Sequence, residues 1–217
     1  MKTRWFIVMV AVVLSLAACG QQAQGSGMEY STTFERDIPV GKTLPGTDIK
    51  YLGKTDQGAQ VSIGGQMALK RTLDSLDWRG SPVAGANAEY SLRVLTFDAD
   101  AIKVGGTAKV VVTQPVPKSV AASALPKDAL TFRGLIVTYD VKKGKTIPGT
   151  TLSYDDKTDD GAKLGGIEGY PYRKVADSIA WAGQLADKTF LQLDLRVVFY
   201  DGNLLKVTGT PTLLIAP

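Results

Sequence analysis

A chain of 217 residues that is 44% hydrophobic and 21% charged can bury one or two ordinary cores, and it is too apolar to be disordered. Its formal charge of +4 is small and its lysines and arginines are scattered, which argues against a nucleic-acid surface. Histidine is absent and cysteine occurs once, which excludes Ser-His-Asp and Cys-His catalysis, an internal disulfide and the usual His/Cys zinc site.

In chain order, Met1-Lys2-Thr3-Arg4 is a short positive start, and Trp5 to Ala18 is apolar apart from Ser15. That run is too short to span a bilayer and has the proportions of a secretory signal peptide over residues 1–18. Leu16-Ala17-Ala18-Cys19 resembles the lipobox of bacterial lipoproteins. The resemblance implies cleavage before Cys19, a lipid on its thiol and an acylated (palmitate-type) new amino terminus. A thioether-linked lipid also accounts for a single cysteine sent to an oxidising compartment, and several acyl chains give stable anchoring where one would not. Gly20 stands where lipoproteins retained at the inner membrane of enteric bacteria tend to carry Asp, so the resemblance leans toward the outer membrane where one exists. The expected address is extracytoplasmic, lipid-anchored to the cell membrane or the outer membrane. Loss of Lys2 and Arg4 with the leader leaves an excess of about two positive charges.

Residues 19–29 then read as the lipidated cysteine and a flexible tether, since Gly20 to Gly27 are small, polar and without periodicity. Beyond the tether one register dominates. Gly41-Lys42-Thr43-Leu44-Pro45-Gly46-Thr47 recurs as Gly144-Lys145-Thr146-Ile147-Pro148-Gly149-Thr150, 103 residues on. The same offset pairs Asp37 with Asp140, Tyr51 with Tyr154, Trp78 with Trp181, Arg93 with Arg196 and Asp98 with Asp201. The expectation is two tandem β repeats of about 80 residues, 30–113 and 133–217, each a small sandwich or barrel-like unit. Between them, 114–132 reads as a Pro/Ala linker with one helical turn at Ser119–Ala124.

Within each repeat the period is two, which makes the fold class all-β. Ile49 and Tyr51 lead through the Asp56-Gln57-Gly58 turn into Ala59-Val61-Ile63; Leu152 and Tyr154 do the same through Asp159-Asp160-Gly161. Phe190 to Tyr200 is the strongest strand, and Tyr90-Leu92-Val94 is its counterpart. Ile102–Val104 and Val110–Val112 follow as a final pair, matched by Leu205–Val207 and Leu213–Ile215. Residues 171–182 carry partly helical spacing and read equally as a strand or a short turn. Five or six short strands per repeat are expected, with Trp78 and Trp181 in the core.

Little in this chain carries chemistry. Only Glu29, Glu35, Glu89 and Glu168 are glutamates, and most aspartates sit in turn contexts, so a carboxylate-dependent hydrolase is the least favoured reading. Asp156, Thr158 and Asp160 before Gly161 imitate the start of a calcium loop, but the twelfth position is Ile167, so an acidic hairpin turn is expected and no metal or cofactor is assigned. Gly64-Gly65, Gly105-Gly106 and Gly165-Gly166 read as bends or bulges rather than phosphate cradles. Positions shared by both repeats are most simply fold-makers, so a ligand site belongs among those not shared. Glu168, Tyr170, Tyr172 and Arg173 of the second repeat are the candidates, as a stacking or sugar-binding surface. The expected function is a non-catalytic binding module for an envelope protein or glycan; the alternative is a structural or assembly lipoprotein of the envelope with no specific ligand.

Overall fold

The computed structural model describes residues 27–216; the expected signal peptide, Cys19 and most of the expected tether lie outside the described residues. The fold is all-β. The first half contains β1 (Met28–Pro39), β2 (Lys50–Thr55), β3 (Gly58–Ile63), β4 (Gln66–Lys70), β5 (Trp78–Val83), β6 (Ala86–Phe97) and β7 (Ala101–Val112). The intervening segment carries β8 (Lys118–Ser119) and a 3-10 turn (Ala122–Ala124). The second half contains β9 (Leu130–Arg133), β10 (Val137–Lys142), β11 (Lys145–Thr146), β12 (Ser153–Thr158), β13 (Gly161–Gly165), β14 (Tyr172–Arg173), β15 (Ser178–Ala186), β16 (Thr189–Tyr200) and β17 (Leu204–Ile215). The bounds of β2 and β12, of β6 and β16, and of β7 and β17 differ by 103 residues at both ends.

Each half sets a large antiparallel sheet against a small one. In the first half the orders are β1-β7-β6-β5 and β2-β3-β4. In the second they are β10-β17-β16-β15-β8, with β9 also paired to β17, and β11-β12-β13-β14. Alternation decides which face is buried: Tyr90, Leu92 and Val94 of β6 point inward, as do Leu191, Leu193, Leu195 and Val197 of β16. Burial of such side chains contributes about 1.5–3 kcal/mol each before conformational entropy is set against it.

Several elements differ from the sequence reading. The expected final pair of short strands is one long strand in each half, β7 and β17, because Gly106 and Gly209 let a neighbouring backbone approach without ending the ladder. A Cβ at Gly106 would lie 2.1 Å from the Ser91 carbonyl oxygen, and one at Gly209 2.0 Å from that of Asp194. The ambiguous 171–182 stretch is strand at both ends, β14 and the start of β15, with a turn at 174–177 between them, and β15 buries Ile179, Trp181 and Leu185 in alternation. Gly64-Gly65 is the β3–β4 hairpin turn, both residues with positive φ (58° and 80°). Trp181 is buried, whereas Trp78 is half-buried and donates its indole N–H to the Asp48 carboxylate at 2.8 Å.

The halves share one hydrophobic core where the beginnings of β1 and β9 meet, each strand staying paired within its own half. Phe132 of β9 lies 6.2 Å from Phe34 and 6.1 Å from Tyr90 of the first half. Leu130 sits against Gly46, and Met28 of β1 sits against Gly149 of the second half. The Thr32 hydroxyl donates to the Arg133 carbonyl, and the Leu135 N–H to the Ser31 carbonyl at 3.1 Å.

One polar atom in this core is unmatched. The Tyr90 hydroxyl is buried, its ring among Phe34, Trp78 and Phe132, with no hydrogen-bond partner among the described residues, and burial pushes its pKa well above the usual range. An unsatisfied buried hydroxyl costs about 1–3 kcal/mol. Tyr90→Phe is therefore expected to leave stability unchanged or raise it by about 1 kcal/mol, read as the urea midpoint of unfolding at constant slope. A loss above about 1 kcal/mol would show that the hydroxyl is satisfied.

Candidate functional site

The loop that carries the candidate residues is built on two left-handed glycines, Gly166 (φ 75°) and Gly169 (φ 81°), between β13 and β14. Pro171 follows; its carbonyl accepts the Leu164 N–H at 2.9 Å. Proline has no N–H to return to β13, so the edge strand is confined to Tyr172–Arg173.

Three of the four candidates come together. The Tyr170 and Tyr172 rings meet edge to face at 5.4 Å, and Tyr170 is 64% exposed. The Arg173 guanidinium donates to the carbonyls of Tyr170 (2.7 Å) and Tyr172 (2.8 Å) through one nitrogen and to that of Ser178 (3.1 Å) through another. Its role is therefore to hold the tyrosine-bearing backbone, not to stack on a ligand. Glu168 is exposed on the loop, and the hydrogen bonds of Arg173 go to carbonyls, not to Glu168. The result is a fixed aromatic edge with a polar rim. It offers a stacking surface but no convergent acid and base.

The calcium-like run resolves into hairpin chemistry. The Asp156 carboxylate pairs with Lys143 at 2.7 Å and accepts the Lys157 N–H at 2.8 Å. Those contacts, with the lysine hydrogen bond foremost, hold its pKa below the usual carboxylate range. Thr158 is turned to the Gly161 carbonyl. Among the described residues no group of three or more acidic side chains is placed to hold a metal ion.

A second feature is not visible in the sequence pattern. The solvent face of β1, β7 and β6 carries a shallow, open depression of about 560 Å³ lined by Thr33, Glu35, Leu73, Arg93, Leu95 and Gly105, among others. Leu73 sits on its rim at φ 72°, which is unusual for a branched residue, with its carbonyl held by the Arg93 guanidinium at 2.9 Å. Glu35 is paired with Lys103 at 2.8 Å. The counterpart of Gly105 in the second half is Thr208, which adds a side chain there; its hydroxyl bonds that of Thr138 at 3.1 Å and donates to the Val137 carbonyl at 2.9 Å. The Gly105/Thr208 difference is the signal that could have found this depression.

With the site described, the class of protein is an all-β chain presenting aromatic and polar surfaces. Comparison with protein-family models, curated proteins and solved structures finds no match for the chain.

The two adjacent glycines are expected to respond differently to substitution. Gly106→Ala drives a Cβ into backbone and should destabilise by about 2–3 kcal/mol. Gly105→Thr meets the Leu95 side-chain tip at 2.8 Å, which can swing away, so it should close the depression with a stability change within about 1 kcal/mol. Thermal unfolding of both variants checks this; equal losses would show that the backbone approach is not the constraint.

Proposed function

We propose that this protein is a lipid-anchored extracytoplasmic lipoprotein whose β body is a non-catalytic binding module for an envelope protein or glycan. The anchor rests on the sequence Leu16-Ala17-Ala18-Cys19 after an apolar leader. The binding reading is carried by one observation: two tyrosines fixed edge to face on a loop whose own arginine is spent on backbone carbonyls. Rigid aromatics lose little conformational entropy on contact, so they suit recognition of sugar faces or of a protein surface. Absence of histidine removes the commonest general base, which favours binding over catalysis.

Metabolic labelling with a fatty-acid analogue should mark the wild-type chain and not Cys19→Ser; equal labelling of both would overturn the anchor. In capture from solubilised envelope by the full chain, Tyr170→Ala should reduce recovery of a specific protein or glycan about tenfold or more, with unchanged thermal unfolding. Recovery that does not depend on Tyr170 would place binding elsewhere.

A further inference from the structure

Each small sheet ends in an edge strand, and the two edges are finished differently. Ala68 pairs with Val61 as Pro171 matches Leu164, and the Leu164 N–H donates inward to the Pro171 carbonyl. The carbonyls on either side, at 170 and 172, therefore point to the outer edge, where Arg173 covers both. In the first half the corresponding outward carbonyls belong to Met67 and Leu69, and the residue at the place of Arg173 is Lys70, a single ammonium in place of a guanidinium. Here β4 runs straight for five residues, Gln66-Met67-Ala68-Leu69-Lys70, with no proline, no bulge and no paired strand beyond it among the described residues. Met67 is 71% and Leu69 47% exposed. A straight edge with an apolar, uncharged centre is open to strand addition.

The sequence of β4 also matches itself. An antiparallel pairing of two copies about Ala68 places Met67 opposite Leu69 of the second copy, Gln66 opposite its Lys70 and Ala68 opposite its Ala68. Apolar side chains then meet apolar ones on the outer face, and neither lysine faces a lysine. A shift of two residues leaves one apolar pair instead of two: either Leu69 meets Leu69 with Met67 opposite Arg71, or Met67 meets Met67 with Leu69 opposite Gly65.

We propose that β4 is a self-association edge, joining the β2-β3-β4 sheets of two copies of this chain into one six-stranded antiparallel sheet centred on Ala68. One five-residue strand pair buries less than the roughly 1,200 Å² of a stable interface, so the dimer exchanges rapidly and forms at high concentration. It does not depend on the lipid anchor or on the tyrosine surface.

The test is sedimentation equilibrium of the full chain in detergent, with micelles in excess, for wild type, Met67→Lys, Leu69→Glu and an equimolar mixture of the two variants. Both side chains are exposed, so folding should be unaffected, and thermal unfolding checks it. Wild type should show a monomer–dimer equilibrium, and each variant alone should associate about tenfold or more weakly. The mixture should recover wild-type association, because the ammonium introduced in one copy then lies opposite the carboxylate introduced in the other. A wild type that stays monomeric to about 1 mM, variants that associate like wild type, or a mixture that does not recover each overturn the proposal.

Discussion

Each large sheet is tied to its small sheet by one buried tyrosine. Tyr51 of β2 donates its hydroxyl to the Asp98 carbonyl in the β6–β7 turn, and Tyr154 of β12 does the same to Asp201 between β16 and β17. Both tyrosines are fully buried, and burial, before any other cause, raises their pKa, so they remain donors. A turn that must present its carbonyl inward has to be fixed in shape. Asp98 fixes it by accepting the N–H groups of Ala101 and Asp100, which hold its carboxyl below the usual range. Asp201 accepts those of Asn203 and Leu204 in the same way. The sandwich depends on this chain of contacts: carboxylate to turn, turn carbonyl to tyrosine, tyrosine to small sheet.

The second constraint joins the halves. Because Phe132 and Leu130 pack into the first half while Met28 packs on Gly149 of the second, neither half closes its core with its own residues. A β unit of about 80 residues buries a modest fraction of its surface and is marginal alone. Contact between the strand beginnings offsets that weakness, and it couples the stability of one half to that of the other. The shared Pro-Gly turns take part in it: at Gly46 and Gly149 the other half comes close, with Leu130 and Met28 within about 3 Å of where a side chain would begin. The Gly-Lys-Thr-x-Pro-Gly-Thr turn therefore serves packing between halves as well as the turn itself.

Much of this is legible from alternation, because period two with one buried face leaves few other readings. The β2–β3 and β12–β13 hairpins and the long β16 strand are readable in that way, and the register of 103 from the recurring Gly-Lys-Thr-x-Pro-Gly-Thr stretch. What stays hidden has physical reasons. The strand β1 carries Tyr30, Thr32 and Phe34 inward at period two, yet the polar Thr32 on its buried face and the charges of Glu35, Arg36 and Asp37 mask the pattern. Paired glycines suggest a break at 105–106, but a close backbone approach needs glycine without any bend. Arg173 reads as a free charge in the sequence; its geometry spends that charge on carbonyls three, one and five residues away, which no spacing rule reveals.

Where two halves obey the same folding rules, a difference between them reports on their surroundings and not on the fold. The outer edge of β15 is covered by β8, with the Val116 and Val120 N–H groups donating to Leu185 and Ala182. The matching edge of β5 has no such cover among the described residues; at the place of Leu185 it carries Pro82, which keeps an edge from pairing by having no donor. The edge of β14 is closed by Arg173. Three edges are thus closed by three devices, a strand, a proline and a guanidinium, while β4 carries none of them and presents Met67 and Leu69 outward. Among the described residues β4 is thus an edge without any of these devices, and the order of residues about Ala68 is one that the same five residues, running the other way, would match.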